Sequence, residues 1–202
     1  DNDEITYVDG TFEDAIYMNS GTAVMGSYFD MPYGVESSTA NSCAVWGYQG
    51  LSGSTTLSGF AVTAGLPESS ALYTLPIILE EGQWNVFDLG WDFPGDFVIA
   101  IEVSVTIGMA IDASGAPGQN SWANLGGWQP WTEVANEYML TDGEFGLNAN
   151  VTTVGGGTPV FNVYRSVNGS DFNLMFNGGS LEDNFYMDNT VQNGNEYCYD
   201  CL

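Results

Sequence analysis

The chain has 202 residues, 44% of them hydrophobic, which allows one large or two modest domains with a substantial core. Against 26 Asp and Glu stand one basic residue, Arg165, and no His, for a formal net charge of −25. This balance repels phosphate backbones and anionic lipid, so nucleic-acid partners and membrane insertion are excluded, and neither a Ser-His-Asp triad nor a His-bound metal can be built.

Charged residues make up only 13% of the chain, about half the usual share. The surface is therefore expected to be a neutral coat of Ser, Thr, Asn, Gln and Gly, as suits an extracellular protein. Near-absence of Lys and Arg also removes trypsin-type cleavage sites. No apolar run approaches the roughly 18 residues needed to cross a bilayer, and an Asp1 start without a signal peptide is what a mature secreted chain would show.

From the first residue to about Val154 the sequence reads as all-β. Candidate strands are Ile5 to Val8, Ala23 to Phe29, Cys43 to Tyr48, Leu57 to Val62, Ala71 to Leu79, Trp84 to Leu89, Phe97 to Ile107, Met109 to Ile111, Tyr138 to Leu140 and Phe145 to Val151. Turn signals separate them, among them Asp9-Gly10, Ser52-Gly53, Glu81-Gly82, Pro94-Gly95 and Asp142-Gly143. With 26 glycines and no sustained, capped 3.6-residue period, no helix is expected. Short strands at this spacing predict a sandwich or jelly roll.

Within this region Phe93-Pro94-Gly95-Asp96-Phe97-Val98-Ile99-Ala100-Ile101 is followed by Met109-Ala110-Ile111-Asp112, Gln119-Asn120-Ser121-Trp122, Gly127-Trp128 and Phe145-Gly146-Leu147-Asn148-Ala149. The order resembles the jelly-roll modules, related to cleaved-adhesin domains, that are appended to secreted bacterial peptidases and surface adhesins. The resemblance covers roughly residues 83–151. Trp122 stands where that pattern has Tyr and Asn148 where it has Arg, so the resemblance implies the fold more firmly than any ligand.

Gly155-Gly156-Gly157-Thr158-Pro159 reads as a linker, and residues 160–202 as a second, smaller unit. Phe161, Val163 and Arg165 alternate with Asn162, Tyr164 and Ser166 before the Asn168-Gly169 turn, and further runs at Phe172 to Phe176, Asn184 to Val191 and Glu196 to Cys201 complete about four short strands. Phe161-Asn162-Val163-Tyr164-Arg165, Leu181-Glu182-Asp183 with Asp188, and Asn193-Gly194-Asn195-Glu196-Tyr197-Cys198-Tyr199 resemble the middle of a fibronectin type III or related immunoglobulin-like domain of secreted bacterial proteins. That family carries two strands before the first of these and one after the last. The predicted fold is therefore a jelly-roll β-sandwich at 1–154, a Gly-rich linker at 155–159 and an incomplete immunoglobulin-like β-sandwich at 160–202. Either the sequence is a piece of a longer chain, or another molecule supplies the missing strand.

Candidate sites are few. Trp122, Trp128 and Trp131 form an aromatic cluster whose indole faces can stack on sugar rings or plug the end of the sandwich. Calcium is the natural counterion of so acidic a chain, with Asp112 near Ser114, or Asp183 with Asp188, as weak oxygen donors; neither is an EF-hand pattern, and no other cofactor is expected. Asn150 and Asn168 sit in glycosylation acceptor patterns. Cys43, Cys198 and Cys201 permit three single pairings or buried thiols. A carboxylate pair such as Asp92 with Glu102 or Glu133 is the one catalytic arrangement that composition allows, and the chain is expected not to be an enzyme.

The leading expectation is a structural subunit of an extracellular filament or fibril, a homopolymer assembled head to tail by β-strand complementation. Ile5 and Tyr7 on a donated segment, and Tyr197 and Tyr199 on the deficient sheet, are the expected interface residues. The alternative is a carbohydrate-binding or adhesive accessory module of a larger secreted bacterial protein, with a glycan as partner.

Overall fold

The computed structural model describes residues 2–32, 34–114, 118–155, 162–170, 173–177, 191 and 195–201. These divide into two compact units, Asp1–Met31 with Glu36–Val154, and Pro32–Val35 with Gly155–Leu202. In chain order the elements are β1 (Asn2–Ile5), β2 (Asp14–Ile16), β3 (Ala23–Phe29), β4 (Val35–Trp46), β5 (Ser54–Thr63), β6 (Leu66–Pro67), β7 (Tyr73–Ile78), β8 (Trp84–Phe93) and β9 (Phe97–Val103). They continue with β10 (Met109–Asp112), β11 (Ser121–Asn124), β12 (Trp128–Pro130), α1 (Trp131–Tyr138), β13 (Glu144–Phe145), β14 (Leu147–Gly155), β15 (Asn162–Val167), β16 (Asn173–Asn177) and β17 (Tyr197–Cys201). The all-β class expected from the sequence is the class observed.

The large unit is an antiparallel sandwich. One layer runs β12-β11-β3-β9-β5, with β7 and the short β6 also on β5. The other runs β1-β14-β4-β8 and is continued by β13-β10-β2. Gly146, between β13 and β14, joins these last two sheets: it receives the Trp46 amide on its carbonyl and donates its own amide to Ala110. Successive strands pass back and forth between the layers, β3 to β4 to β5 and then β8 to β9 to β10.

Alternation explains the core. On β9, Phe97, Ile99, Ile101 and Val103 point inward and are fully buried, facing Met25 and Phe29 of β3. Phe97 stacks on Phe29 at 5.0 Å and on Phe93 at 4.5 Å, and Tyr73 stacks on Trp91 at 5.3 Å. Each such side chain contributes about 1.5–3 kcal/mol by leaving water. Gly59 of β5 lies beneath Phe93 and Trp91; a Cβ there would come within 2.8 Å of both rings, so only glycine lets the aromatic stack rest on this strand.

β4 is the element the sequence reading shortened most. It begins at Val35 rather than Cys43, and its first half, Val35-Glu36-Ser37-Ser38-Thr39-Ala40-Asn41-Ser42, carries almost no hydrophobic alternation. It is a strand because β8 and β14 supply its ladder bonds. A bulge places Leu89 and Gly90 of β8 opposite the single residue Asn41, with Gly90 at φ 63°. The bulge shifts the inward set of β4 from Ser38 and Ala40 to Cys43 and Val45, which hid the pattern from a period-two search.

Two further expectations are corrected. Residues 138–140 are not a strand: Tyr138 ends the helix α1, and Met139 takes the left-handed conformation at φ 55° that closes it. The helix was legible as Trp131, Val134, Ala135 and Tyr138, an i, i+3, i+4, i+7 set, but at eight residues it is too short to stand out. The first strand ends at Ile5 instead of starting there.

In the small unit the described residues form a three-stranded antiparallel sheet, β16-β15-β17, with Tyr164 opposite Leu174 on one side and Asp200 on the other. Asn168, at φ 50°, accepts the Glu196 amide and donates to Asn195, tying the β15 turn to the start of β17. The Arg165 guanidinium lies 5.2 Å from the centre of the Tyr197 ring.

Candidate functional site

The three indoles read as one cluster occupy three different environments. Trp131, the first residue of α1, is fully buried; its ring lies 5.3 Å from Phe145 and its Nε1 donates to the Thr141 carbonyl at 3.1 Å. In that position the side chain anchors the helix to the sandwich. Trp128 is half-buried against Phe60 at 4.9 Å, and its Nε1 donates to the Glu68 carbonyl at 3.0 Å. Trp122 lies along the ring of Tyr28 at 5.7 Å. Trp122 and Trp128 thus belong to the outer face of the β3-β9-β5 layer, where Phe60, Val98 and Ala100 form a small second core under the 66–71 segment.

The expected interface residues are all placed within their own unit. Ile5 pairs with Ala149 as β1 lies along β14, from Asn2 opposite Thr152 onward. Tyr7 packs 5.9 Å from Phe29, and burial pushes its hydroxyl pKa up to about 12. Tyr197 faces Val167 and Tyr199 faces Arg165 across the β15–β17 ladder, Tyr199 remaining well exposed.

The acidic residues mostly organise loops. Asp112, at the end of β10, is buried and receives the Asp9 amide at 2.7 Å, the Ser114 amide at 3.1 Å and the Ser114 hydroxyl at 2.8 Å. Asp9 in turn accepts the Thr11 amide and hydroxyl, and these bonds hold its carboxyl below the usual range. Among the described residues no group of three or more Asp, Glu or Cys side chains is arranged to hold a metal ion. Asp183 and Asp188 lie outside the described residues. Asp92 on β8 accepts the Thr39 hydroxyl, Glu102 extends from β9 in the opposite layer, and Glu133 lies on α1, so these carboxylates stand on three separate elements.

Other sequence-marked residues are tied into the fold. Asn150 is half-buried within β14, near the Asn41 amide, and Asn168 uses both side-chain atoms in its turn. Cys43 is buried with its thiol pKa pushed up to about 12 by desolvation, while Cys198 is exposed. Both are free thiols.

The sequence reading missed one concavity of the large unit. A cleft of about 630 Å³ opens between the segment that links β2 to β3, the end of β11 and α1. Met25, Trp131 and Val134 form its floor, and Tyr17 and Tyr138 stand on its rim, 47% and 57% exposed. Little in the sequence signals it, because Tyr17 sits in the apolar run Ile16-Tyr17-Met18 and without the helix nothing brings Tyr138 to the same cleft.

No family model matches the chain, and no curated protein sequence matches it. Among solved structures the chain is similar to the clostridial cysteine protease Cwp84 in its form after propeptide cleavage, with a TM-score of 0.58 and 13% identity. The similarity covers 76% of this chain and 41% of that protein, so this chain spans well under half of the neighbour's length. At this identity the likeness is one of fold: a β-rich sandwich.

Proposed function

We propose that this chain is a structural subunit of an extracellular filament, joined head to tail by exchange of β1 between neighbouring copies. The observation that carries the reading is the position of β1. It is a four-residue strand at the rim of its sheet, paired with β14 on one side, with Glu4 exposed and Ile5 half-buried. Such a strand contributes little to the core of its own molecule, and the segment from Thr6 to Glu13 that joins it to β2 is free of helix or sheet. Exchange between two copies would reproduce the same ladder, Asn2 with Thr152 through Ile5 with Ala149. An exchange of identical elements costs little, and when the rotation it imposes does not close a ring it propagates as a fibre.

The neutral polar surface and near-absence of basic residues suit a secreted assembly that persists outside cells. At a net charge of −25 the subunits repel at long range, so assembly is favoured by salt that screens them.

The test is a pair of cysteines, Ile5→Cys with Ala149→Cys, in a chain whose three native cysteines are Ser. Oxidation under assembly conditions should give a ladder of covalent multimers on a non-reducing gel, with filaments in negative stain. Filaments whose subunits crosslink only within themselves would remove β1 as the exchanged strand, and a chain that stays monomeric at high concentration and high salt removes the filament.

A further inference from the structure

We infer that the cleft between the β2–β3 segment and α1 is a binding site for a neutral saccharide. Its volume, about 630 Å³, lies within the range of small-molecule sites. Its lining has the composition that a sugar ring requires. Tyr17 and Tyr138 offer aromatic rings at the rim, where the apolar faces of a pyranose can stack. Asn19, Thr22 and Asn124 place amide and hydroxyl groups between them. Among the described residues the side chains of Asn19 and Thr22 and the Tyr138 hydroxyl have no hydrogen-bond partner, so they are available to a ligand.

Charge selects among ligand classes. The chain carries 26 carboxylates, yet no charged side chain lines the cleft. A cation would be held by carboxylates, and an anion by Lys or Arg; the one basic residue, Arg165, belongs to the other unit. A purely apolar ligand would leave the polar groups of the rim desolvated without partners, at about 1–3 kcal/mol each. An uncharged, hydroxyl-rich ring satisfies both the aromatic and the polar parts. The floor is rigid, since Trp131 is pinned by its bond to the Thr141 carbonyl and by Phe145, and a preformed site limits the ordering cost of binding. This site is distinct from the outer-face indoles Trp122 and Trp128 and does not depend on strand exchange.

The experiment titrates the whole chain with neutral hexasaccharides (cello-, xylo-, manno-, malto- and chito-oligosaccharides) and with polygalacturonate, reading backbone amide resonances by NMR. At least one neutral sugar should move the signals of Asn19, Thr22 and Asn124 to saturation, with a Kd that changes little from low to high salt. Tyr138→Ala should raise that Kd by at least about tenfold, with core resonances unchanged. Should that variant lose its fold, Asn19→Ala, in an exposed loop, serves instead and should weaken binding several-fold. The inference is overturned if no neutral sugar moves these signals, if only polygalacturonate does so, or if they move with protein concentration alone, which would assign the cleft to a second copy of the chain.

Discussion

Ser121 donates its hydroxyl to Oε2 of Glu144 at 2.7 Å while accepting the amide of Phe145 at 2.8 Å. The two bonds join β11 of one layer to β13 of the other, and the Asn120 amide completes the set on Oε1 at 3.1 Å. These partners of Glu144 are all donors, so both oxygens of a carboxyl group only 6% exposed are hydrogen-bonded.

Ser121→Ala is expected to destabilise the large unit by about 1–3 kcal/mol, because it leaves both a buried carboxylate oxygen and the Phe145 amide without a partner. Urea unfolding checks this, and a loss below about 0.5 kcal/mol would show that the link is not structural. The pH dependence of Glu144 is separable. Burial raises its carboxyl above the ordinary range, with the Ser121 and Asn120 bonds pulling the other way. The folded state therefore takes up this proton before the unfolded chain does as pH falls, and the contribution to stability rises over that window. Glu144→Gln should flatten this rise relative to the parent.

Alkaline behaviour follows from Cys43 and Tyr7. Burial shifts the Cys43 thiol from 9.0 to about 12 and the Tyr7 hydroxyl from 10.0 to about 12. Both groups are neutral below these values, and above their ordinary pKa the unfolded chain releases the protons first. Stability is therefore expected to fall as pH rises from about 9 towards 12, and Tyr7→Phe should reduce the slope above pH 10. At pH 8 a thiol reagent should label Cys198 at once and leave Cys43 untouched until denaturant is added. Rapid labelling of Cys43 in the folded chain would contradict the packing of β4.

The indoles separate by variant. Trp131→Ala is expected to cost about 3–5 kcal/mol, the range for emptying a large aromatic from a core, and to disorder α1. Trp122→Ala, which removes a half-buried ring lying along Tyr28, should cost far less. Equal losses from thermal unfolding of the two variants would show that the outer face is as well packed as the interior.

What the sequence determined by itself was the class. Period-two runs such as Ala23 to Phe29, which is β3 to the residue, fix inward and outward faces by local geometry alone, and turn residues such as Asp142-Gly143 mark their ends. Composition likewise ruled out whole families of chemistry, since a residue type that is missing cannot act. What only the tertiary structure decided was where strands whose outward face is polar begin, and which aromatic rings meet. The first half of β4 is a strand because two neighbours pair with it, α1 is a helix because Trp131 finds Phe145 behind it, and Tyr17 and Tyr138 line one cleft that exists only once the β2–β3 segment and α1 are brought together. Those outcomes depend on contacts between distant residues, and the period of a short local run does not encode them.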